Sequence, residues 1–283
     1  MPELPEVEIL ARHLRPLIRG KTIRAVRVNR PRVVRPTSPA RFKQSITGAV
    51  FTNLKRRGKY LLFELRPRNR RNKMTLLGHL GMTGRMFLAR KNRPLPKHAA
   101  VVLDLGGCNF IYDDSRYFGR FTLDFAAIEN LGPEPLADEF TPEVFARGLN
   151  RSRQPIKVKL LDQSLVAGVG NIYASEALFR AGLSPRRAAC RLTRAQVAKL
   201  WRAVRAVLRE AIECGSTIPL NFGAGKGDGL FYYGSAAGAT DFTTERLRVY
   251  DRRGQPCVKC KAPVQRIVQA ARSTFFCPHC QKC

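Results

Sequence analysis

The sequence predicts an α+β protein of two domains: a β-sandwich or barrel flanked by helices, and a helical domain that ends in a zinc-binding β-hairpin. Its 283 residues are enough for two hydrophobic cores. Between residues 22 and 124, short runs rich in Val, Leu, Phe and Tyr are divided by Gly, Pro and Asn, as in sandwiches and barrels. Beyond residue 135 the apolar residues recur at helical spacing, and two Cys-x-x-Cys pairs follow near the C-terminus.

The first predicted helix lies near the N-terminus. Its apolar stripe comprises Val7, Leu10, Leu14, Leu17 and Ile18. Pro16 is expected to end or kink this helix, and Gly20 follows it. Examples of the predicted strands are residues 22–28, 60–65, 73–80, 100–105 and 110–113, and a basic loop around residues 90–98 interrupts them.

The segment Gly132-Pro133-Glu134-Pro135 predicts the linker between the domains. Thr193 and Gln196 form a capping-box pattern at the start of a long helix that ends near Gly215. The apolar stripe of that helix, which includes Trp201, is expected to pack in a core. Residues 215–238 contain seven glycines and four aromatic residues, which predicts a mobile loop without regular secondary structure.

The chain is strongly basic, since 51 lysines and arginines face 21 acids, for a formal net charge of +30. A surplus of this size predicts a polyanionic partner, and nucleic acid is the commonest one. No secretory signal and no apolar run of about 18 residues is evident, so we expect a soluble cytoplasmic protein without a membrane partner.

The N-terminal residues carry the first candidate chemistry. Removal of Met1 would leave Pro2 with a secondary amine whose pKa of about 8 keeps part of it unprotonated at neutral pH. Such an amine can form a Schiff base, and Glu3 and Glu6 could act as general acid or base beside it. The alternative is structural, because Pro5 and acidic side chains also suit the first turn of a helix.

Four cysteines near the C-terminus have the spacing of a structural zinc site. Cys257 and Cys260 form one pair, and Cys277 and Cys280 form another after sixteen residues. Four thiolates so spaced predict a closed tetrahedral Zn²⁺ site that holds a small β-hairpin and leaves no position open for catalysis. The thiols expected to be buried and structural are Cys108, Cys190 and Cys214.

Two further segments could bind phosphate. Gly168-Val169-Gly170-Asn171 precedes a predicted helix at residues 171–180, with Lys157 nearby, and a glycine-rich helix start can accept an anion. Arg272, between the cysteine pairs, could clamp a phosphate through two guanidinium nitrogens. Both patterns also occur without function, as a turn before a helix and as a solvated arginine.

Turns of the predicted sheet carry the remaining candidates. Lys59 follows Lys55-Arg56-Arg57-Gly58 at the start of a strand, a pattern that a solvated basic turn would also show. Met82 lies on one glycine-flanked turn, and Arg116 and Phe118 share another. These three side chains could fill a gap in a base stack, although packing in the core is the commoner fate of a methionine or phenylalanine.

Taken together, these motifs resemble the formamidopyrimidine-DNA glycosylase family over essentially the whole chain. The motifs in the family's order are Met1-Pro-Glu-Leu-Pro-Glu-Val-Glu8, Gly58-Lys-Tyr60, His79-Leu-Gly-Met82, Gly132-Pro-Glu-Pro-Leu136, Gly168-Val-Gly-Asn-Ile-Tyr-Ala-Ser-Glu176 and the four cysteines. The resemblance implies a catalytic β-sandwich at 1–131, a linker at 132–151, a helix–two-turn–helix domain at 152–244 with a mobile lesion loop at 215–238, and a zinc finger at 245–283.

The resemblance also implies a function. Such an enzyme is bifunctional: it removes oxidised purines, among them 8-oxoguanine and formamidopyrimidines, from duplex DNA and then nicks the abasic strand. The DNA would lie in a basic cleft between the domains. The protein would act in bacterial base-excision repair as a nucleoid-associated monomer, with zinc as its one structural metal.

Individual roles follow from the resemblance. Pro2 would attack C1′ of the damaged nucleotide, Glu3 would transfer protons, and Glu6 would support Glu3. Lys59 would assist β-elimination and Arg272 δ-elimination. The expected DNA contacts are His79, Met82, His98, Arg116, Phe118, Arg151, Lys157 and Asn171. Tyr117 stands where many members have a second arginine.

Two alternatives remain at this point. An endonuclease VIII-type glycosylase for oxidised pyrimidines has the same fold, but Leu4 and the set of Met82, Arg116 and Phe118 favour the purine enzyme. A non-catalytic zinc-ribbon protein that senses damaged DNA would have no need of Pro2.

Overall fold

The computed structural model describes residues 2–68, 73–214 and 247–282. They divide into two compact units: residues 2 and 6–129 form the first, and residues 3–5, 130–214 and 247–282 form the second. The predicted lesion loop at 215–238 lies outside the described residues. Among those residues, no helix is both long and apolar enough to cross a membrane.

The first unit contains two four-stranded antiparallel sheets. Its strands are β1 (Ala25–Val28), β2 (Val50–Arg57), β3 (Tyr60–Arg66), β4 (Met74–His79), β5 (Arg85–Arg90), β6 (Ala99–Asp104), β7 (Cys108–Asp113) and β8 (Arg120–Thr122). The strand orders are β1–β6–β7–β5 and β2–β3–β4–β8. The helices are α1 (Leu4–Ile18), α2 (Pro39–Ile46) and α3 (Ala126–Glu129), with a 3₁₀ turn at Pro31–Val34.

Side chains of both sheets meet in one apolar core. The Phe63 ring on β3 lies 5.6 Å from Phe110 on β7, centroid to centroid, and 5.5 Å from Phe121 on β8. Strand β3 alternates buried and half-buried positions, as expected for a strand with one face on the core. The two sheets are separate and share this core, so the sandwich prediction is confirmed and the barrel alternative is wrong.

Strands β2, β5 and β8 lie between residues 22 and 124 but outside the five example runs, and the placement of Leu17 on the buried stripe of α1 was predicted wrongly. The second half of β2 is basic, which weakens its apolar pattern, and β5 is a short apolar run between two arginines. Pro16 lies inside α1, which continues to Ile18; at this late position the proline disrupts little of the remaining helix. Leu17 is 37% exposed because it falls off the stripe formed by Leu14 and Ile18.

The second unit contains four helices and one hairpin among its described residues. They are α4 (Pro142–Asn150), α5 (Ile156–Leu160), α6 (Asn171–Ala181), α7 (Arg194–Glu213), β9 (Gln265–Gln269) and β10 (Arg272–Phe276). The Thr193–Gln196 capping box is present at the start of α7. Trp201 is half-buried rather than in the core, and its indole N–H donates to the Phe140 carbonyl at 2.6 Å.

The three cysteines that were expected to be buried and structural differ in exposure. Cys108 is buried in the core of the first unit, as predicted, and Cys190 is half-buried. Cys214 is exposed, so the prediction of a buried thiol there is wrong. It lies at the C-cap of α7, where the helix ends.

Candidate active site

Glu3 is anchored to the start of helix α6. Its side chain is buried, and the carboxylate accepts the backbone N–H groups of Ile172 at 2.9 Å and Tyr173 at 3.4 Å. These N–H groups have no partner within the helix, and they carry the positive end of its dipole. The start of α6 therefore holds the Glu3 carboxylate as it would hold a bound anion.

Gly170 makes room for this contact. A Cβ atom at residue 170 would overlap the Glu3 carboxylate. The glycine-rich segment was predicted to accept a phosphate, and the structure shows that its helix start accepts an anion from the chain itself. The physical inference from the glycines was sound, but the identity of the anion could not be read from local sequence.

Lys157 and Asn171 form a second layer beside Glu3. Lys157 is fully buried, and its Nζ donates to Asn171 Oδ1 at 2.5 Å. Burial lowers the pKa of Lys157 to about 8, with the Glu3 carboxylate opposing this shift and Arg272 adding to it. The ammonium group is therefore still mostly charged at neutral pH, although it lies within the protein.

Arg272 is the exposed first residue of strand β10. It follows a two-residue turn in which Ala270 and Ala271 have φ angles of +47° and +58°. This left-handed conformation normally favours glycine or asparagine, so the turn is strained. The next residue, Ser273, accepts a hydrogen bond from Asn171 Nδ2 at 2.8 Å, which ties the hairpin to the start of α6. Glu3, Lys157, Asn171 and Arg272 thus lie together in the second unit.

The four zinc-motif cysteines converge on one point. Their Sγ atoms all lie within 4.8 Å of one another, with 3.9 Å between Cys257 and Cys280 and 3.4 Å between Cys260 and Cys277. A tetrahedral site with Zn–S bonds of about 2.3 Å has edges of about 3.8 Å. The donor set therefore fits one closed zinc ion.

Glu176 connects this zinc region to α6. Its buried carboxylate accepts the backbone N–H groups of Arg248 at 3.0 Å, Val249 at 2.9 Å and Tyr250 at 2.9 Å. Burial raises the pKa of Glu176, and the three N–H groups act against that shift. In the sequence Glu176 is recognisable only as the last residue of a motif, because a contact 72 residues away in the chain has no local signal.

In the first unit, Lys59 lies in the turn between β2 and β3. It is only 8% exposed, so the alternative of a solvated basic turn is wrong for this residue. Burial lowers the pKa of the neighbouring His79 to about 4, and the positive charges of Lys59 and Arg120 add to this shift. His79 is consequently neutral at pH 7, and its Nδ1 accepts the N–H of Gly81 at 3.2 Å.

Met82, Arg116 and Phe118 project from two neighbouring turns. Met82 is 47% exposed and Phe118 is 51% exposed, so neither belongs to the core. The Arg116 Nη1 lies 3.6 Å from the Met82 sulfur. The three side chains predicted to fill a base stack therefore stand together on one surface of the first unit.

Asp114 joins these two turns and was missed by the sequence analysis. Its buried carboxylate accepts hydrogen bonds from Thr83 Oγ1 at 2.6 Å, Arg116 N at 3.1 Å, Gly119 N at 2.9 Å and Tyr112 Oη at 3.3 Å. An Asp at the start of a turn is a recognised signal for such side-chain-to-backbone bonds. It could have indicated the bonds to residues 116 and 119, but not the bond to Thr83.

Four predicted site residues lie outside these groups. Pro2 is half-buried ahead of α1, and Glu6 is fully buried in the first turn of that helix. His98 is half-buried just before β6. Arg151 is exposed at the end of α4, where its side chain forms no hydrogen bond or ion pair with any described residue.

Comparison with known proteins identifies the family. Three family models match: the formamidopyrimidine-DNA glycosylase N-terminal domain over residues 1–121, the formamidopyrimidine-DNA glycosylase H2TH domain over 131–221, and a zinc finger found in FPG and IleRS over 254–282. The formamidopyrimidine-DNA glycosylase of Carboxydothermus hydrogenoformans is 41% identical over 282 residues, with 100% of both chains covered. The chain belongs to the formamidopyrimidine-DNA glycosylase family.

Solved structures of this DNA glycosylase family share the fold. A complex of a Lactococcus lactis FPG mutant with Fapy-dG containing DNA has a TM-score of 0.85 and 33% sequence identity, covering 99% of this chain and 100% of that one. A complex of the wild-type Lactococcus lactis protein with an oxidised-pyrimidine containing DNA has the same TM-score, identity and coverage. With the zinc-finger match and the sulfur geometry, the four cysteines hold one structural zinc ion.

Replacement of Gly170 by alanine should displace Glu3. The new methyl group would overlap the carboxylate. If Glu3 transfers protons, as the resemblance implies, base excision should slow by about a hundredfold, since positioned acid–base groups contribute about that much or more to a rate. Single-turnover release of a formamidopyrimidine base measures this. Gly107→Ala is the control, since nothing lies within 4 Å of its added methyl; similar rates in the two variants would contradict the role given to Gly170.

Asp114→Asn should destabilise the first unit. The amide NH₂ would face donor groups where the carboxylate now accepts four hydrogen bonds. We expect the free energy of unfolding to fall by about 2 kcal/mol. Urea unfolding followed by circular dichroism checks this, with Asp124→Asn as control because no described residue donates to the Asp124 side chain. An equal loss in both variants would show that Asp114 does not organise the turns.

Cys277→Ser should release the zinc ion. Three thiolates bind zinc more weakly than four, and the hairpin that carries Arg272 depends on the metal. We expect metal analysis to find about one zinc per wild-type chain and nearly none in the variant, with faster hydrogen exchange in residues 265–276. Cys190→Ser should retain the zinc. Full zinc content in Cys277→Ser would refute the four-cysteine site.

Proposed function

We propose that this protein is a bifunctional glycosylase and abasic-site lyase that removes oxidised purines, including 8-oxoguanine and formamidopyrimidines, from duplex DNA. The observation that supports it most directly is the Glu3 carboxylate held by the start of α6. That contact fixes the chain immediately after Pro2. It also gathers an acid, the buried Lys157 and the exposed Arg272 in one part of the second unit.

In the proposed first step, the Pro2 nitrogen attacks C1′ of the damaged nucleotide. A C–N bond to Pro2 forms as the glycosidic bond breaks, and the base leaves with a proton. Glu3 transfers the protons at the sugar and at the departing base, and the buried Glu6 supports it. Opening of the sugar ring then gives a Schiff base between Pro2 and C1′.

In the proposed second step, the same Schiff base drives strand cleavage. The imine acidifies the C2′ hydrogen, whose removal expels the 3′ phosphate by β-elimination, and a second elimination expels the 5′ phosphate. Lys59 assists the first elimination and Arg272 the second. No metal takes part in this scheme, because a zinc ion with four thiolate ligands has no open position.

The DNA is proposed to meet residues of both units. Met82, Arg116 and Phe118 fill the gap that the extruded nucleotide leaves, which accounts for two large apolar side chains that are about half exposed. Arg116 reads the orphaned cytosine. The proposed remaining contacts are His79, His98, Arg151, Lys157 and Asn171. Since His79 is neutral at pH 7, it would contact DNA by hydrogen bonding rather than by charge.

Oxidised pyrimidines are the second candidate substrates. The observation in their favour is the Lactococcus lactis relative solved with an oxidised-pyrimidine containing DNA. Incision of duplexes that contain 8-oxoguanine opposite cytosine should exceed incision of duplexes that contain thymine glycol. The opposite order would make the endonuclease VIII-type activity the better description.

Pro2→Gly should weaken covalent trapping far more than DNA binding. Glycine retains an N-terminal amine but loses the constrained secondary amine, so the Schiff base forms poorly. With an abasic duplex and borohydride, we expect the trapped fraction to fall by about tenfold or more while the Kd changes by less than about threefold. Equal losses in trapping and binding would count against Pro2 as nucleophile.

The wild-type protein supplies the control for this test. Its intact mass should show that Met1 has been removed, and borohydride should give a covalent adduct. Binding without any adduct would favour the non-catalytic damage sensor.

A further inference from the structure

Tyr117 lies on the turn between Arg116 and Phe118 in a left-handed conformation, with a φ of +54°. A residue with a Cβ atom keeps this conformation only where its surroundings hold it. Asp114 provides that hold, since its carboxylate accepts the N–H groups of Arg116 and Gly119 on either side of Tyr117. The direction of the tyrosine side chain is therefore fixed by the turn.

The side chain of Tyr117 also fixes the position of the Arg30 guanidinium group. Its hydroxyl oxygen accepts a hydrogen bond from Arg30 Nε at 3.0 Å, and the Arg30 Cζ lies 5.1 Å from the centre of the ring. The same hydroxyl lies 3.4 Å from His98 Nδ1. One aromatic residue thus holds Arg30 by a hydrogen bond and by a cation–π contact.

Backbone hydrogen bonds make this corner of the first unit continuous. The N–H groups of Asn29 and Arg30 donate to the Ala100 carbonyl at 2.9 and 3.2 Å. The N–H of Asp114 donates to the His98 carbonyl at 3.1 Å. Because three separate segments are joined in this way, Arg30 has a set position relative to the turn that bears Arg116 and Phe118.

The charge of Arg30 is exposed and uncompensated. No acid among the described residues pairs with it. Among those residues, the Tyr117 hydroxyl is the one hydrogen-bond acceptor for its guanidinium group, and it accepts from Nε. Residues 9–63 contain fifteen arginines and lysines and no acid at all. Two terminal nitrogens of a positioned guanidinium therefore face solvent in a region of positive charge, which is the arrangement that binds a phosphate bidentately.

We propose that Tyr117 positions Arg30 to bind a backbone phosphate of the DNA. This phosphate would lie next to the gap in the base stack that Met82, Arg116 and Phe118 fill. The inference rests on the proposed function, since it assumes that this surface of the first unit meets DNA. Arg30 is the binding residue, and Tyr117 is a positioning residue that acts through it. By accepting from Nε, the tyrosine hydroxyl leaves both terminal nitrogens for the phosphate.

The first test compares Arg30→Gln with Arg32→Gln. Both remove one exposed positive charge within two residues of each other, but the Arg32 side chain forms no hydrogen bond or ion pair with a described residue. The probe is a duplex with a stable abasic analogue, whose Kd is measured by fluorescence anisotropy over a range of salt concentrations. Arg30→Gln should raise the Kd by about tenfold and make the slope of log K against log salt shallower by about 0.9. Arg32→Gln should change the Kd by less than about twofold. Equal effects in the two variants would overturn the proposal.

The second test is a double-mutant cycle with Tyr117→Phe, which keeps the ring and removes the hydroxyl. In the wild-type background, Tyr117→Phe should raise the Kd by about threefold. It should not change the slope of log K against log salt, because no charge is lost. In the Arg30→Gln background it should have no further effect. Equal weakening in both backgrounds would show that Tyr117 acts independently of Arg30. A purely structural role for Tyr117 would produce that result.

Folding and catalysis are controlled separately. Arg30→Lys keeps the positive charge but lacks the two guanidinium nitrogens that bind a phosphate together. It should therefore retain the wild-type slope of log K against log salt, with a Kd between those of the wild type and Arg30→Gln. A slope as shallow as that of Arg30→Gln would contradict the proposed charge contact. Borohydride trapping of the wild-type protein tests the proposed function by itself. Its failure would remove the lyase activity but leave the equilibrium comparison of Arg30 and Arg32 valid.

Discussion

The contact between the Glu3 carboxylate and the first N–H groups of α6 is the constraint on which the second unit's site depends. A buried carboxylate is costly unless hydrogen bonds replace the water that it loses. The helix start supplies two such bonds, and the buried charge of Lys157 acts on the same group. The chain is therefore immobilised one residue after Pro2. If Pro2 is the nucleophile, as we propose, this anchor would order a chain end that is otherwise poorly ordered.

Buried carboxylates organise the other loops in the same way. Asp114 gathers two turns in the first unit, and Glu176 gathers residues 248–250 in the second. The chain has 21 acids and a net charge of +30. Glu3, Asp114 and Glu176 are buried, so they form hydrogen bonds inside the protein and do not neutralise its surface. The positive surplus remains outside, where a polyanion can meet it.

Patterns within short stretches of sequence predicted most of the fold. The cysteine spacing gave the zinc site, the Thr193–Gln196 pair gave the start of α7, and the divided apolar runs gave the sandwich. Each is a local pattern with one dominant physical cause.

The arrangement of the site was less predictable because it depends on contacts between distant segments. The residues around Glu3 come from the start of the chain and from residues 157, 171 and 272, and no spacing rule links them. Exposure was equally hard to predict. Lys59 is buried although its neighbours are basic, whereas Met82 and Phe118 are exposed although they are apolar. Individual residues at a site often break the rules that hold for the rest of a fold.

The shared attachment to Asp114 has a kinetic consequence for the turns that carry Met82 and Phe118. One carboxylate bonds to both turns, and Gly81 and Gly119 allow their backbones to touch. The positions of the two turns are therefore coupled through this carboxylate. If Met82 and Phe118 enter a duplex as we propose, their insertion would be a single concerted event with one barrier, and a half-inserted intermediate would not accumulate.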